Sequence, residues 1–153
     1  MSVNNGESTS AAQYRDRDYE ERQFHPMAAS VLIDQYKEEK VEWVFENYLP
    51  AGGVVILAAK PKVGKTTLAY QLAVKVAKGE IFLERPTMQG SVLILALEEH
   101  PRDVRLRLKN LGGGVENLYV HTGHLEPSEA NMATIEAFVH ERGVKLILVD
   151  TLA

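Results

Sequence analysis

The sequence predicts an α/β fold organised around a mainly parallel sheet, and three observations carry that prediction. Apolar runs of strand length at 54–57, 92–97 and 146–149 alternate with segments whose apolar residues recur at helical spacing. The 92–97 run is apolar without interruption, as expected of a strand covered by helices on both faces. Acids follow two of the runs, Glu98 and Asp150, and parallel sheets gather their ligands at that end of their strands.

Residues 1–27 read as a flexible N-terminal arm, and 28–153 as the folded part. Gly6-Glu7-Ser8-Thr9-Ser10 is small and polar, and 14–21 alternates charges with few apolar anchors. The alternative for the arm is a short helix that docks on a neighbouring subunit. Residues 28–39 can form a helix. Residues 41–45 alternate as a strand would, with Val41, Trp43 and Phe45 on one side. Trp43 has the ring to stack on an adenine, but its alternating neighbours favour a core position. Pro50-Ala51-Gly52-Gly53 is a turn that feeds the expected strand 54–57.

A helix follows at 65–78, with Leu68, Leu72 and Val76 on one face and Ala69, Ala73 and Ala77 beside it. Lys78-Gly79-Glu80 ends that helix, Pro86 lies in a loop and Gly90 precedes the strand 91–97. Pro101 suits a first helical turn, Val104, Leu108 and Leu111 form an apolar stripe, and Gly112-Gly113-Gly114 stops the helix. Residues 118–121 form a short strand. Pro127-Ser128-Glu129 opens a helix with Met132, Ile135 and Val139 inward, ended by Gly143. The last strand, 145–149, delivers Asp150 to its end.

The chemistry concentrates between the 54–57 run and the helix after it, in Ala59-Lys60-Pro61-Lys62-Val63-Gly64-Lys65-Thr66-Thr67. Backbone N–H groups that converge in a loop, closed by a helix N-terminus, make a site for a polyphosphate. Gly64 lets the backbone approach the phosphates, Lys65 reaches the β- and γ-phosphate oxygens, and the Thr66 hydroxyl is placed to ligate Mg²⁺. Nucleoside triphosphate is therefore the leading ligand, and the plain alternative is a Gly/Lys-rich turn with no ligand. One departure stands out. The pattern G-x-x-x-x-G-K-[ST] calls for glycine where this chain has Ala59, which serves as long as its φ stays negative.

Asp150 follows four apolar residues, the Walker B arrangement, and can hold the Mg²⁺ shell; Glu98 can align or deprotonate the attacking water. Either acid could instead cap the following segment. On the helix after Pro101, the side chains of Arg102, Arg105 and Lys109 share a face that reads as solvated, with DNA contact as the alternative. Arg107 falls beside the apolar stripe, so it either covers the core edge with its stem or tethers this helix to the strand-end acids. His121-x-x-His124 with Glu126 nearby lies at a strand end rather than on one helical face, and reads as an edge strand rather than a metal set.

Composition bounds the rest. The chain has 153 residues, 45% hydrophobic content, no cysteine and a net charge of −4. One domain follows, with neither a disulfide framework nor a thiolate metal site. The first 40 residues carry 5 basic and 8 acidic side chains, so most of the acidity belongs to the N-terminal part. No apolar run reaches transmembrane length and no signal segment opens the chain, which points to a cytoplasmic location without membrane contact.

From residue 41 to 153 the chain resembles the RecA-like AAA-type ATPases related to the plasmid replication helicase RepA. Four landmarks carry the resemblance: 59–66; Gly79-Glu80-Ile81-Phe82-Leu83-Glu84-Arg85-Pro86-Thr87; 92–99 with Arg107-Leu108 and Leu111-Gly112; and 146–150. The resemblance implies a RecA-like P-loop NTPase core, ATP rather than another nucleotide, Mg²⁺, and Glu98 as catalytic acid with Glu99 its neighbour. It also implies rings with ATP between subunits, single-stranded DNA as a partner, and a motor or switch in replication or recombination, helicase-like. Relatives often have glycine where this chain has Glu84. They continue beyond the position of Ala153, so the resemblance further implies an incomplete core that binds ATP weakly and hydrolyses it little. A regulatory module that binds ATP without useful turnover is the alternative from another class, and a small-molecule kinase, whose acceptor site and lid are not evident, is a third.

Overall fold

The structure is a computed structural model that describes residues 26–35 and 41–150. The arm expected at 1–27 lies almost wholly outside the described residues. The chain divides into two units, 1–40 and 41–153. In the first, the expected helix forms as α1, Ala29–Gln35, with 36–40 outside the described residues.

The second unit opens with a small antiparallel pair, β1 (Trp43–Phe45) and β2 (Leu49–Pro50). Its register slips between Trp43 and Phe45, which upsets the simple alternation expected there. Val44 joins the core at 3% exposure, Phe45 stacks on Tyr48 at 5.0 Å and meets Phe82 at 5.3 Å, and Val41 is exposed. Trp43 is half-buried.

Helix α2 (Lys65–Lys78), strand β3 (Ser91–Ala96), helix α3 (Pro101–Asn110), strand β4 (Leu118–Thr122), helix α4 (Glu129–Arg142) and strand β5 (Val144–Asp150) follow. The sheet is parallel, in the order β4-β3-β5. Its central strand is the uninterrupted apolar run, and Val92, Ile94 and Ala96 on one face are fully buried. That face packs with Tyr70, Ala73, Val76 and Ala77 of α2, with Val104 of α3 and with Val44. The opposite face is covered more thinly by α4, where the Phe138 ring meets Tyr119 edge-on at 5.1 Å.

Helix ends obey the sequence signals. Gly79 caps α2 at φ 68, His100 accepts from the Arg102 N–H ahead of Pro101, Ser128 accepts from the Asn131 N–H, and Gly143 closes α4 at φ 58. Three expectations are corrected. In α2 the buried stripe is Tyr70, Ala73, Val74, Val76 and Ala77, while Leu68 is exposed and Leu72 only partly buried. The helix is rotated so that small residues, which permit close approach, face the sheet. In α4, Met132 is exposed, and Ile135 and Val139 are only half-buried.

The third correction concerns residues 54–57. They form no strand; Val54 is 93% and Ile56 86% exposed. An apolar run becomes a buried strand only when a neighbouring strand takes its backbone hydrogen bonds, and β5 pairs only with β3 among the described residues. β5 alternates accordingly, with Leu146 and Leu148 packed on the core and Ile147 and Val149 exposed.

Candidate functional site

Residues 58–64, the expected phosphate loop, lie exposed between 54–57 and α2. Gly64 is the residue before the helix, at φ 94 and ψ 14, and no side chain caps it. The first amides of α2 are therefore left to a ligand or to solvent. Lys62 also holds a positive φ of 65, so left-handed residues bracket Val63 and bend the chain as anion-binding backbone nests do. Ala59 stays outside the left-handed region, which removes the steric objection to alanine at that position. Lys60, Pro61 and Lys62 are exposed, Lys65 and Thr66 half-buried, and Thr67 exposed.

One residue into the helix, Thr66 meets the sheet. Its Oγ1 donates to Asp150 Oδ1 at 3.4 Å, a long bond across 84 positions of sequence. Asp150 reaches this place because β5 pairs with β3 in parallel, Ala96 opposite Asp150, so both strands end together. Asp150 Oδ2 is buried and has no hydrogen-bond partner among the described residues. Burial first, and the negative charge of Glu99 second, push the Asp150 carboxyl above the usual range, against Thr66, Arg107 and Lys65. A hydroxyl and a carboxylate with a spare oxygen, beside a lysine, form a hard oxygen donor set that fits Mg²⁺.

The two acids after β3 take different positions. Glu98 is exposed, whereas Glu99 is half-buried and forms an ion pair with Arg107 Nη1. Arg107 is thus the tether between helix and strand-end acids, the sharper of its two sequence readings. Its guanidinium carbon lies 4.9 Å from the centre of the Tyr70 ring. It lies over that ring, and the Tyr70 hydroxyl is buried without a hydrogen-bond partner of ordinary geometry among the described residues. Burial, then the charges of Glu99 and Asp150, push the Tyr70 phenol up to about 12. The hydrogen bond to Glu99 raises the Arg107 guanidinium further above its ordinary value. Thr66 and Tyr70 are four residues apart on α2, hence on one helical face.

Sequence reasoning named Thr66 and Asp150, which the fold brings together, and Glu98, which it leaves exposed at the same sheet end. It missed Tyr70 altogether and treated Glu99 only as a neighbour. The available signals were the i, i+4 spacing from Thr66 to Tyr70 and a second acid adjoining Glu98. His121 lies in the edge strand β4, its Nε2 buried and without a hydrogen-bond partner among the described residues. No helix among the described residues is long and apolar enough to cross a membrane.

Comparison with known proteins gives this geometry a context. The model of the AAA domain family matches residues 20–153. The DNA repair protein RadA of Aquifex aeolicus (strain VF5) is 30% identical over 103 residues, 67% of this chain and 20% of that protein. RadA of Streptococcus pneumoniae (strain ATCC BAA-255 / R6) is 23% identical over 125 residues, 80% of this chain and 26% of its own length. Protein RecA of Macrococcus caseolyticus (strain JCSC5402) is 31% identical over 104 residues, 68% of this chain and 26% of that protein. The chain spans about a quarter or less of the length of these relatives.

Proposed function

The chain belongs to the AAA domain family, within the RecA-like P-loop ATPases, and from that premise we propose that it binds ATP with Mg²⁺ at residues 59–67 and hydrolyses it. The supporting observation is the convergence of Thr66 and Asp150 at the start of α2, with one buried carboxylate oxygen left over. Lys65 and the loop amides hold the β- and γ-phosphate charge in place. Thr66 and Asp150 would hold the metal, which when bound would neutralise phosphate charge. Glu98, at the same end of the sheet, orients water toward the γ-phosphate.

The relatives are a DNA repair protein and RecA, so the proposed work is a motor or switch in DNA repair, recombination or replication, with single-stranded DNA as partner. Assembly into a ring, kinship with RepA-type helicases, a cytoplasmic location, and the division into an arm at 1–27 and an ATPase part at 28–153 belong to the same proposal. The experiment is nucleotide titration followed by steady-state phosphate release, with and without single-stranded DNA. Release stimulated by DNA supports the motor. Binding without turnover assigns the chain as a regulatory ATP-binding module, a reading favoured by the exposure of the whole 59–64 loop. Phosphate transfer to a metabolite overturns both.

A further inference from the structure

We infer that Arg107 is a positioning residue of this site: from α3 it fixes Glu99 beside Asp150 and braces it on Tyr70 of the phosphate-loop helix. Glu99 is then a strand-end acid whose orientation is built into the fold. The inference rests on the phosphate-site reading above and deepens it.

Three elements meet at the Arg107 guanidinium. Glu99, three residues past the end of β3, takes its hydrogen bond, and both partners are mostly shielded, with side chains 25% and 21% exposed for Arg107 and Glu99. The Tyr70 ring lies beneath it, one turn along α2 from Thr66. Asp150 completes the group through its contact with Thr66. An ion pair half removed from water and stacked on an aromatic face is directional in a way that an exposed pair is not. A flexible glutamate would lose rotamer freedom whenever a ligand required one orientation; here the fold has already fixed it. Because the arginine sits on α3 and the ring on the helix that begins at the phosphate loop, a change at the metal corner is felt by α3.

The test measures ATP affinity of the whole chain in excess Mg²⁺ and in EDTA; the ratio is the Mg²⁺ enhancement. Variants are R107M, R107K, E99Q, R107M/E99Q, and R105M, which removes an equal charge from an exposed position on the same helix. Loss of a partner that orients a metal's outer shell costs about tenfold or more in metal affinity. R107M and E99Q are therefore each expected to lower the enhancement about tenfold, with affinity in EDTA within about twofold of wild type. The double variant falls no further than either single one, R107K keeps most of the effect, and R105M matches wild type. A purely Coulombic role has the opposite sign, since losing a positive charge favours a bound cation. Enhancement that rises or stays unchanged in R107M, or additive losses in the double variant, overturns the inference. Thermal melts run alongside; should R107M fail to fold, E99Q with unchanged enhancement overturns it equally. A wild-type chain that binds ATP without any Mg²⁺ effect overturns this inference and the metal assignment together, whereas intact wild-type enhancement with an indifferent R107M overturns this inference alone.

Discussion

Exchanging the two small residues of the phosphate loop, Gly64→Ala and Ala59→Gly, separates backbone conformation from consensus. Gly64 holds φ 94, and a Cβ built there meets nothing within 4 Å. The cost of alanine is therefore conformational alone, about 1–2 kcal/mol for an L-residue in the left-handed region. Where that cost appears depends on what holds the loop. Its residues are exposed, so the free chain can relax, and the strain returns when the amides must converge on phosphate. That predicts ATP affinity about 5–30-fold weaker in G64A, since 1.4 kcal/mol is tenfold, with a melting temperature near wild type. If the fold itself holds the loop, the same energy appears instead as a melting temperature lower by roughly 2–8 °C. Ala59 has no positive φ to relieve, so A59G leaves affinity within about twofold and costs a few tenths of a kcal/mol of stability through the unfolded chain. Titration calorimetry and thermal melts read both. A G64A chain unchanged in affinity and in melting would refute the conformational argument, as would tenfold tighter binding by A59G.

Other consequences are as specific. Asp150 has its carboxyl raised by burial and by Glu99, so the folded state binds the proton more tightly than the unfolded chain. Its contribution to stability is present at low pH and is lost as pH rises through the raised value. D150N should therefore melt higher than wild type at neutral pH without nucleotide, show a flatter pH profile above the ordinary carboxylate range, and lose Mg²⁺ enhancement; a lower melting temperature counts against it. Leu83 and Glu84 both have positive φ, 46 and 63, within a two-residue turn closed by reciprocal Phe82–Arg85 bonds of 2.9 and 3.0 Å. Such turns suit Asn-Gly, and L83N/E84G should stabilise the chain by about 1–2 kcal/mol, raising the melting temperature a few degrees; no gain would show the strain to be absent. Asn117 Nδ2 donates to Ala77 O at 2.7 Å and to Gly90 O at 3.1 Å, fastening the end of α2 to the start of β3. N117A should cost about 2 kcal/mol, and a loss under 0.5 in denaturant unfolding would remove Asn117 from that role.

How far the sequence could be read follows from the range of the interaction that decides each feature. Caps are local, and Gly79, Ser128, Gly143 and the His100-Pro101 start all formed where the residues placed them. The 91–97 run is legible by its length, since a run that long and apolar on both faces suits the middle of a sheet, and it found partners on both sides. Residues 54–57 are as apolar but shorter and form no strand, since a strand is defined by its partner and composition does not name one. Within α2, periodicity set the helix, but leucine and valine outweighed tyrosine in choosing its face, and the buried ring of Tyr70 was passed over. Glu84, by contrast, is where the resemblance leads one to expect glycine, and its φ of 63 is a conformation that glycine adopts without strain.

The site divides along the same line. Residues 59–67 lie together in the chain, so their pattern is visible as a string, and Thr66 with Asp150 is visible because strand-end acids and helix starts share one side of a parallel sheet. The Arg107–Glu99 pair and its Tyr70 platform depend on side-chain directions from three elements, which no spacing rule supplies. Glu98 and Glu99 illustrate the limit. Adjacent acids just past the end of a strand are equivalent in sequence, so spacing alone does not say which of them is held near Asp150. It takes an arginine eight residues further on, at about two helical turns, to tell which.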